Sequence, residues 1–492
     1  MIRGSNGVAF GPDGRLYVAQ FVAGQITALE VTGGDVEVVV APGGPIEAPD
    51  DLAFGPDGSM YVTDLVPGRV WRRTAAGAVD LVAEGLRNPN GIAVAGDRLF
   101  VNEMVPGGRL LELFTDGRAP RVMADGLAMG NAMQIGPDGH LYYPHMITGE
   151  VHRIGLDGGS PQVYLENVHE PVAVRFDRAG TLFILSRDAG GTLTQVTERD
   201  RFSWPTGVCG MDNAVFDDEN RMLVSSYATG GIAEINPEGR NRLLVRGGLT
   251  GPYGLAVDSI GGVHAADHYG FAHSNGFELS TFVHGIAADD NGRHVTSQFG
   301  RVRTMDETGT YRTRANLDEP FGITVDAAGA LVIAEAGAGR VVAVELDDTL
   351  SVLADGLDRP MDVAFDDDGR CYVSDAGRGA VYRLDPVLDP TFDAPAPVVV
   401  AEGLDRPEGL AVAAGRLFVA EAGRGRVLSV DLTTGALSVE ADGLWDGSVP
   451  RTAGNVASEG LPGVPRTFAG LATAGAELLV AAEGSILRLE IR

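Results

Sequence analysis

Asparagine and aspartate recur at one position of a short pattern that runs the length of this sequence. In the first half that position holds Asn6, Asp50, Asn90, Asn131, Val172 and Asp212, so all but one are amides or carboxylates. Hard oxygen donors gathered in this way suit Ca2+ or Mg2+, with Mn2+ as an alternative. Two carboxylates held close together repel unless a cation or a proton stands between them. A divalent cation among them would polarise a carbonyl oxygen or generate a hydroxide. The same residue types also tie strand ends to their own backbone. A purely structural ring and a metal-free ligand site therefore stand beside the metal reading.

A second recurring position closes the next apolar run. It carries Gln20, Asp64, Glu103, His145, Ser186 and Ser226 in the first half, and Asp267, Glu335, Asp375 and Glu421 among its holders in the second. Recurrent Asp and Glu there read as repeat consensus. His145 breaks the series and is the first candidate for a general acid or base, because an imidazole titrates near neutrality. Glu103 is the second candidate.

In the second half the opening position turns aromatic and apolar: Tyr253, His284, Phe321, Met361, Glu408 and Ala469. Three readings compete. His284 and Glu408 could act as an acid–base pair in an apolar pocket, where burial moves both toward neutrality. His268, His273 and His284 could hold a soft metal. Ordinary aromatic packing is the third. The chain carries no Gly-x-Ser-x-Gly elbow, phosphate-binding glycine loop, dinucleotide fingerprint or Cys/His zinc knuckle.

The elements that must position these residues follow from the repeat. It reads Asn6-Gly-Val-Ala-Phe-Gly-Pro-Asp-Gly-Arg-Leu-Tyr-Val-Ala-Gln20 and returns, about forty residues apart, as twelve copies. Within the first unit, residues 7–10, 16–20, 25–29 and 36–40 read as four antiparallel strands, the grammar of a propeller blade. Gly11-Pro-Asp-Gly14 is a turn, and Asp289-Asp-Asn-Gly292 and Asp366-Asp-Asp-Gly369 read as turns of the same kind rather than calcium loops.

Four to eight blades per ring is usual. Twelve units therefore predict an all-β chain of two tandem six-bladed β-propellers, residues 1–248 and 249–492. The interval from Tyr253 to His284 is the shortest and suggests a trimmed seventh blade. The interval from Glu408 to Ala469 is the longest, and its excess, Trp445 to Phe468, reads as a long loop and a candidate lid. The last unit ends in its third strand. Met1-Ile-Arg3 is short but could help close a ring.

Bulk composition sets outer limits. Hydrophobic residues are 44% and charged residues 21%, which marks a globular chain. A net charge of -29 repels phosphate backbones and anionic lipid, which argues against nucleic-acid and membrane partners and leaves a small-molecule substrate. Cys209 and Cys371 are the only cysteines, so a disulfide framework is excluded. With neither a signal peptide nor an apolar run of spanning length, a cytoplasmic location is expected.

The Asn-Gly-Val-Ala-Phe-Gly-Pro-Asp-Gly…Leu-Tyr-Val-Ala-Gln pattern resembles NHL repeats and the senescence-marker-protein/gluconolactonase family of six-bladed propellers. Pro89-Asn90-Gly91-Ile-Ala-Val94 is the best local match. The resemblance spans essentially the whole chain as a repeat grammar. It implies a divalent metal at the central channel, bound by a Glu, an Asn and an Asp that open innermost strands of different blades. Asn90 matches the Asn, and Asp212 is a counterpart of the Asp. Where the family has its Glu, this chain has Asn6. The leading expectation is a lactonase or ester hydrolase whose cation is held by Asn6, Asp50, Asn90, Asn131 and Asp212, with His145 or Glu103 moving the proton. A metal-free lyase or cyclase using His284 and Glu408, and a non-catalytic binding scaffold, are the alternatives.

Overall fold

A computed structural model describes the chain apart from residues 1, 34, 198, 237–240, 275, 298, 307, 386–395, 446–467, 483 and 492. The expected lid, 445–468, thus lies almost wholly outside the described residues. No helix is long and apolar enough to cross a membrane among them. The described residues of 1–248 form one compact unit, and those from Leu249 onward form a second.

The first unit is a β-propeller of six four-stranded antiparallel sheets, each built from four strands consecutive in the chain. Its first blade runs Val8–Phe10, Leu16–Gln20, Gln25–Leu29 and Val36–Val40. The innermost strands contact one another in sequence order, and the last of them, Met211–Phe216, returns to pack against Val8–Phe10. The N-terminal segment locks this closure. Ser5 Oγ lies within hydrogen-bond reach of the carbonyls of Ser226, at 3.1 Å, and Gly231, at 2.9 Å. Ile2 packs with Leu223 and Ile232 of the sixth blade.

The second unit closes in the same way, from Leu255–Val257 round to Leu471–Ala474. Its seventh and eighth blades are fused into one seven-stranded sheet. A single strand of 14 residues, Gly276–Asp289, pairs with His268–His273 through its first half and with Gly292–Ser297 through its second. The outer strand of one blade thus becomes the inner strand of the next without a loop. This accounts for the short interval that suggested trimming. The last sheet has three strands among the described residues.

A belt of hydrogen bonds joins neighbouring inner strands. Gly7 N donates to Asp50 O at 2.7 Å, and Gly254 N donates to His284 O at 2.8 Å. Where the link is indirect, a side chain from the second strand relays it. Ser225 Oγ accepts from Asn213 N at 3.1 Å and donates to Asn6 O at 2.5 Å, across the ring closure. Ser374 repeats this between Asp362 N at 3.0 Å and Glu408 O at 2.5 Å. The glycine of the repeat serves this belt. A Cβ on Gly91 would stand 2.2 Å from Asn131 O, and one on Gly470 would stand 2.3 Å from Tyr253 O. Close approach of backbones, rather than turn geometry, explains that glycine. The Gly-Pro-Asp-Gly segments are the true turns, with Gly14 at φ 79° and its N–H on Gly11 O at 3.0 Å. Asp289 and Asp366 spend a carboxylate oxygen on the N–H groups of their own loops, in keeping with turns.

Ser225→Ala removes one buried hydroxyl that serves two backbone groups across the closure. Loss of a buried hydrogen bond that strands its partners costs about 1–3 kcal/mol. Urea unfolding followed by tryptophan fluorescence should show a lower midpoint, whereas an unchanged midpoint would mean that closure does not depend on this relay.

Candidate functional site in the first propeller

The opening residue of each inner strand sits where six strands converge. Asn6, Asp50, Asn90 and Asn131 are all buried there, and Asp212 is half-buried. Asn6 Nδ2 donates to Asp50 Oδ1 at 3.4 Å. Asn90 Nδ2 and Asn131 Nδ2 both reach Met104 Sδ, at 3.2 and 3.4 Å. The charge of Asp212 reaches Asp50. The predicted ring residues are therefore neighbours around one hub.

They do not all offer oxygen to it. Asn6 Oδ1 accepts from Phe21 N at 3.4 Å, and Asn131 Oδ1 accepts from Ala132 N at 2.6 Å. Asn90 Oδ1 is buried with no hydrogen-bond partner. Asp50, Asp212 and Asn90 are thus the oxygen donors best placed to face a cation, with the amides of Asn6 and Asn131 beside them. Phe21, Leu65, Met104 and Met146, each one residue past the end of a second strand, pack in the same buried cluster.

Beneath this ring lies a charged layer that the repeat pattern alone did not suggest. Asp51 Oδ1 accepts from Asn213 Nδ2 at 2.9 Å, and Asp51 Oδ2 accepts from Ile92 N at 3.3 Å. Asp51 therefore links three blades. Buried Arg175 donates to the carbonyls of Ala214 at 2.6 Å, Met133 at 3.1 Å and Val174 at 2.7 Å, and to Asn213 Oδ1. The signal for Arg175 was present: it occupies the inner-strand position where Ala9, Ala53 and Ala93 stand in other repeats.

Asp51 and Asp212 both feel the charge of this guanidinium, and Asp50 in turn feels theirs. Desolvation pushes Asp50 well above the usual carboxylate range, and the charges of Asp212 and Asp51 push it further. Desolvation also raises Asp51, to about 6, although Arg175 and three hydrogen bonds pull the other way. Asp212 is raised by burial and by Asp51, against the pull of Arg187 and Arg175. The cluster carries more negative than positive groups and so favours uptake of a proton or a cation. Hard oxygen donors with excess negative charge fit Ca2+, Mg2+ or Mn2+.

The two proton-carrier candidates fare differently. Glu103 takes Arg87 Nε at 3.1 Å, Arg109 Nε at 2.9 Å and Arg87 N at 2.9 Å. Burial raises its carboxyl, but Arg109 and Arg87 outweigh that and hold it below its ordinary value. Glu103 is a fixed anion that ties an incoming loop to its blade, so its geometry argues against proton transfer. Asp64 does similar work, accepting from Ala48 N at 2.7 Å and Glu47 N at 3.1 Å. His145 is buried, and desolvation first and His152 second bring its imidazole down to about 4. Brought that low, it is neutral at pH 7 and a weak proton acceptor.

In the second propeller, His284 and Glu408 open inner strands of the eighth and eleventh blades, three steps apart round the ring. His284 stacks on Phe321 with centroids 4.9 Å apart and planes at 3°. Glu408 accepts from Ala469 N at 2.7 Å and pairs with Arg406 at 3.1 Å. Burial lifts its carboxyl to about 6 despite those partners. Across the hub from each other, the two are not arranged as a hydrogen-bonded acid–base couple. His268 packs edge-on against Tyr269 and Phe282, at 4.4 and 4.7 Å, while His273 stacks with His264 at 6.2 Å. Each of these three histidines makes aromatic contacts, and His273 Nε2 also lies 3.8 Å from Glu278 Oε1.

The raised carboxyls of the first hub couple stability to pH. The folded chain keeps protons that the unfolded chain has already released, so stability falls as pH rises from roughly 4 toward about 7. In chelator, the melting temperature of the first propeller should be higher at pH 5 than at pH 8, and saturating Ca2+ should narrow the gap. A melting temperature that rises over this range would contradict the charge balance described. Arg175→Met should lower stability at pH 8 by about 3–5 kcal/mol, because it strands buried charge.

No family model and no curated protein matches the sequence. Among solved structures, the chain is similar to a streptogramin B lyase at 15% identity and a TM-score of 0.42, over 57% of this chain and 94% of that one. It is similar to a putative gluconolactonase at 15% identity and a TM-score of 0.41, over 50% and 90%. A gluconolactonase from Xanthomonas campestris gives 17% identity and a TM-score of 0.41, over 46% and 84%. At such scores and identities these likenesses assign no activity to the chain.

Proposed function

We propose that the first propeller is a divalent-cation-dependent hydrolase acting on a small lactone or ester. The observation that carries this reading is the gathering of Asp50 and Asp212, which open two inner strands, in one hub with the unpartnered buried oxygen of Asn90. Excess buried negative charge is costly to leave uncompensated, and functional sites are where such perturbation concentrates. Asp50, Asp212 and Asn90 would hold the cation. When bound, it would supply Lewis-acid polarisation of the substrate carbonyl or a hydroxide at neutral pH.

The remaining residues have roles of their own. Arg175 offsets part of the carboxylate charge from below and keeps the ring from flying apart without metal. The amides of Asn6 and Asn131 bracket the hub as donors. Phe21, Leu65, Met104 and Met146 exclude water on the rim side, which strengthens every electrostatic contact inside. The acidic surface disfavours polyanionic substrates and suits a neutral one.

The test is metal content and turnover on the full chain. Isothermal titration should give one Ca2+, Mg2+ or Mn2+ site, and a lactone and ester panel should show hydrolysis abolished by EDTA and restored by that ion. Asp212→Asn, which keeps shape and removes charge, should lower kcat/KM by at least about a hundredfold, a loss of the size seen when one electrostatic contact to a transition state is removed. Hydrolysis that survives both EDTA and Asp212→Asn would overturn the assignment.

A further inference from the structure

The fourth blade carries another group of ligand-type side chains, built on a hairpin rather than on the opening positions. Strands His140–His145 and Glu150–Gly155 pair antiparallel, with His145 opposite Glu150 and Tyr143 opposite His152. Paired and alternate residues share a face, so His145, Glu150 and His152 project together. One donor atom from each can be chosen so that all three lie within 4.8 Å of one another. His152 Nε2 is 3.0 Å from Glu150 Oε2, and His145 Nδ1 is 3.9 Å from the same oxygen. The two imidazoles stack at 3.9 Å with planes at 16°.

The chemistry of this set differs from that of the hub. Two imidazoles and one carboxylate are borderline donors, suited to Zn2+ and its neighbours rather than to Ca2+. Bonds of roughly 2.0–2.2 Å to one ion place its ligands about 3–3.5 Å apart, so small side-chain adjustments suffice. Thr148 Oγ1 donates to Glu150 Oε2 at 2.8 Å and orients the carboxylate, as outer partners of metal ligands do. The Glu150 side chain is 28% exposed, which leaves an entry path from solvent. His145, only 8% exposed, has an Nε2 with no hydrogen-bond partner. An enclosed imidazole nitrogen left without a partner is unfavourable, and packing alone does not explain it.

We propose that His145, Glu150 and His152 form a binding site for a transition-metal dication of the Zn2+ class, distinct from the oxygen-donor ring of the same propeller. Three protein ligands leave a fourth position for water or a substrate atom. The assignment does not depend on the hydrolase reading, since it rests on other residues and another metal chemistry.

The full chain, stripped with chelator and then held in excess Ca2+ to fill oxygen-donor sites, is titrated with Co2+ and followed by its visible absorption, then with Zn2+ as competitor. One equivalent of Co2+ should bind with a tetrahedral-type spectrum and be displaced by Zn2+. His152→Gln and Glu150→Gln, both at half-buried positions, should weaken that equivalent by at least about tenfold while leaving the metal-free melting curve in place. His145→Gln should abolish it. No Co2+ or Zn2+ uptake by the unaltered chain would overturn the proposal. So would uptake that both His152→Gln and Glu150→Gln retain unchanged.

Discussion

Backbone approach at the hub is the constraint on which the rest depends. Six inner strands fit round an axis only if neighbours come close enough for the N–H of one to reach the carbonyl that opens the next. Gly7, Gly254 and Gly409 make that contact directly. Where the contact is relayed, Ser225, Thr296, Ser374 and the amide of Asn102 carry it from the second strand. Because the carbonyl of the opening residue is fixed by this belt, its side chain is fixed too. The belt therefore turns residues far apart in the chain into a ring of side chains. The ring of side chains and the fold share the same hydrogen bonds.

The two rings spend this geometry differently. The first collects acids and amides and sets a guanidinium under them. That guanidinium satisfies backbone carbonyls from three inner strands, so it is part of the frame as well as part of the charge balance. The second collects Tyr253, His284, Phe321 and Met361, whose aromatic contacts and packing fill the hub with largely apolar surface. Its Asp362 repeats the staple role of Asp51, accepting from Val363 N and Leu410 N at 2.9 and 2.8 Å. One device, an acid in the glycine position of the repeat, thus serves both rings, while the chemistry of the axis diverges.

Much of this was legible in the sequence, and the reason is periodicity. Strand-sized apolar runs, Gly-Pro-Asp-Gly turns and the Asn-Gly opening each repeat, so one blade read correctly reads the others. The convergence of Asn6 with Asp50 and of Asn90 with Asn131 follows from that register. Departures from the repeat were harder to place. The short interval after Tyr253 reads as a trimmed blade because spacing cannot show that one strand, Gly276–Asp289, serves two blades. Glu103 reads as a proton carrier from its slot alone, whereas Arg87 and Arg109 hold it as an ion pair, as Arg340 and Arg426 hold Glu335 and Glu421. Arg175 and the His145, Glu150 and His152 group were visible as letters, but only pairing across strands says what they touch.

The sequence by itself determined the all-β repeat, the turn chemistry and which residues open each inner strand, because these depend on local periodicity and on φ preferences of Gly, Pro and Asp. Tertiary structure decided which oxygens remain unspent, which acids share a buried field, and that a guanidinium from the fifth blade stands among them. Those outcomes depend on distances and burial summed across six blades, and electrostatics in a low-dielectric hub depends on that arrangement rather than on order along the chain.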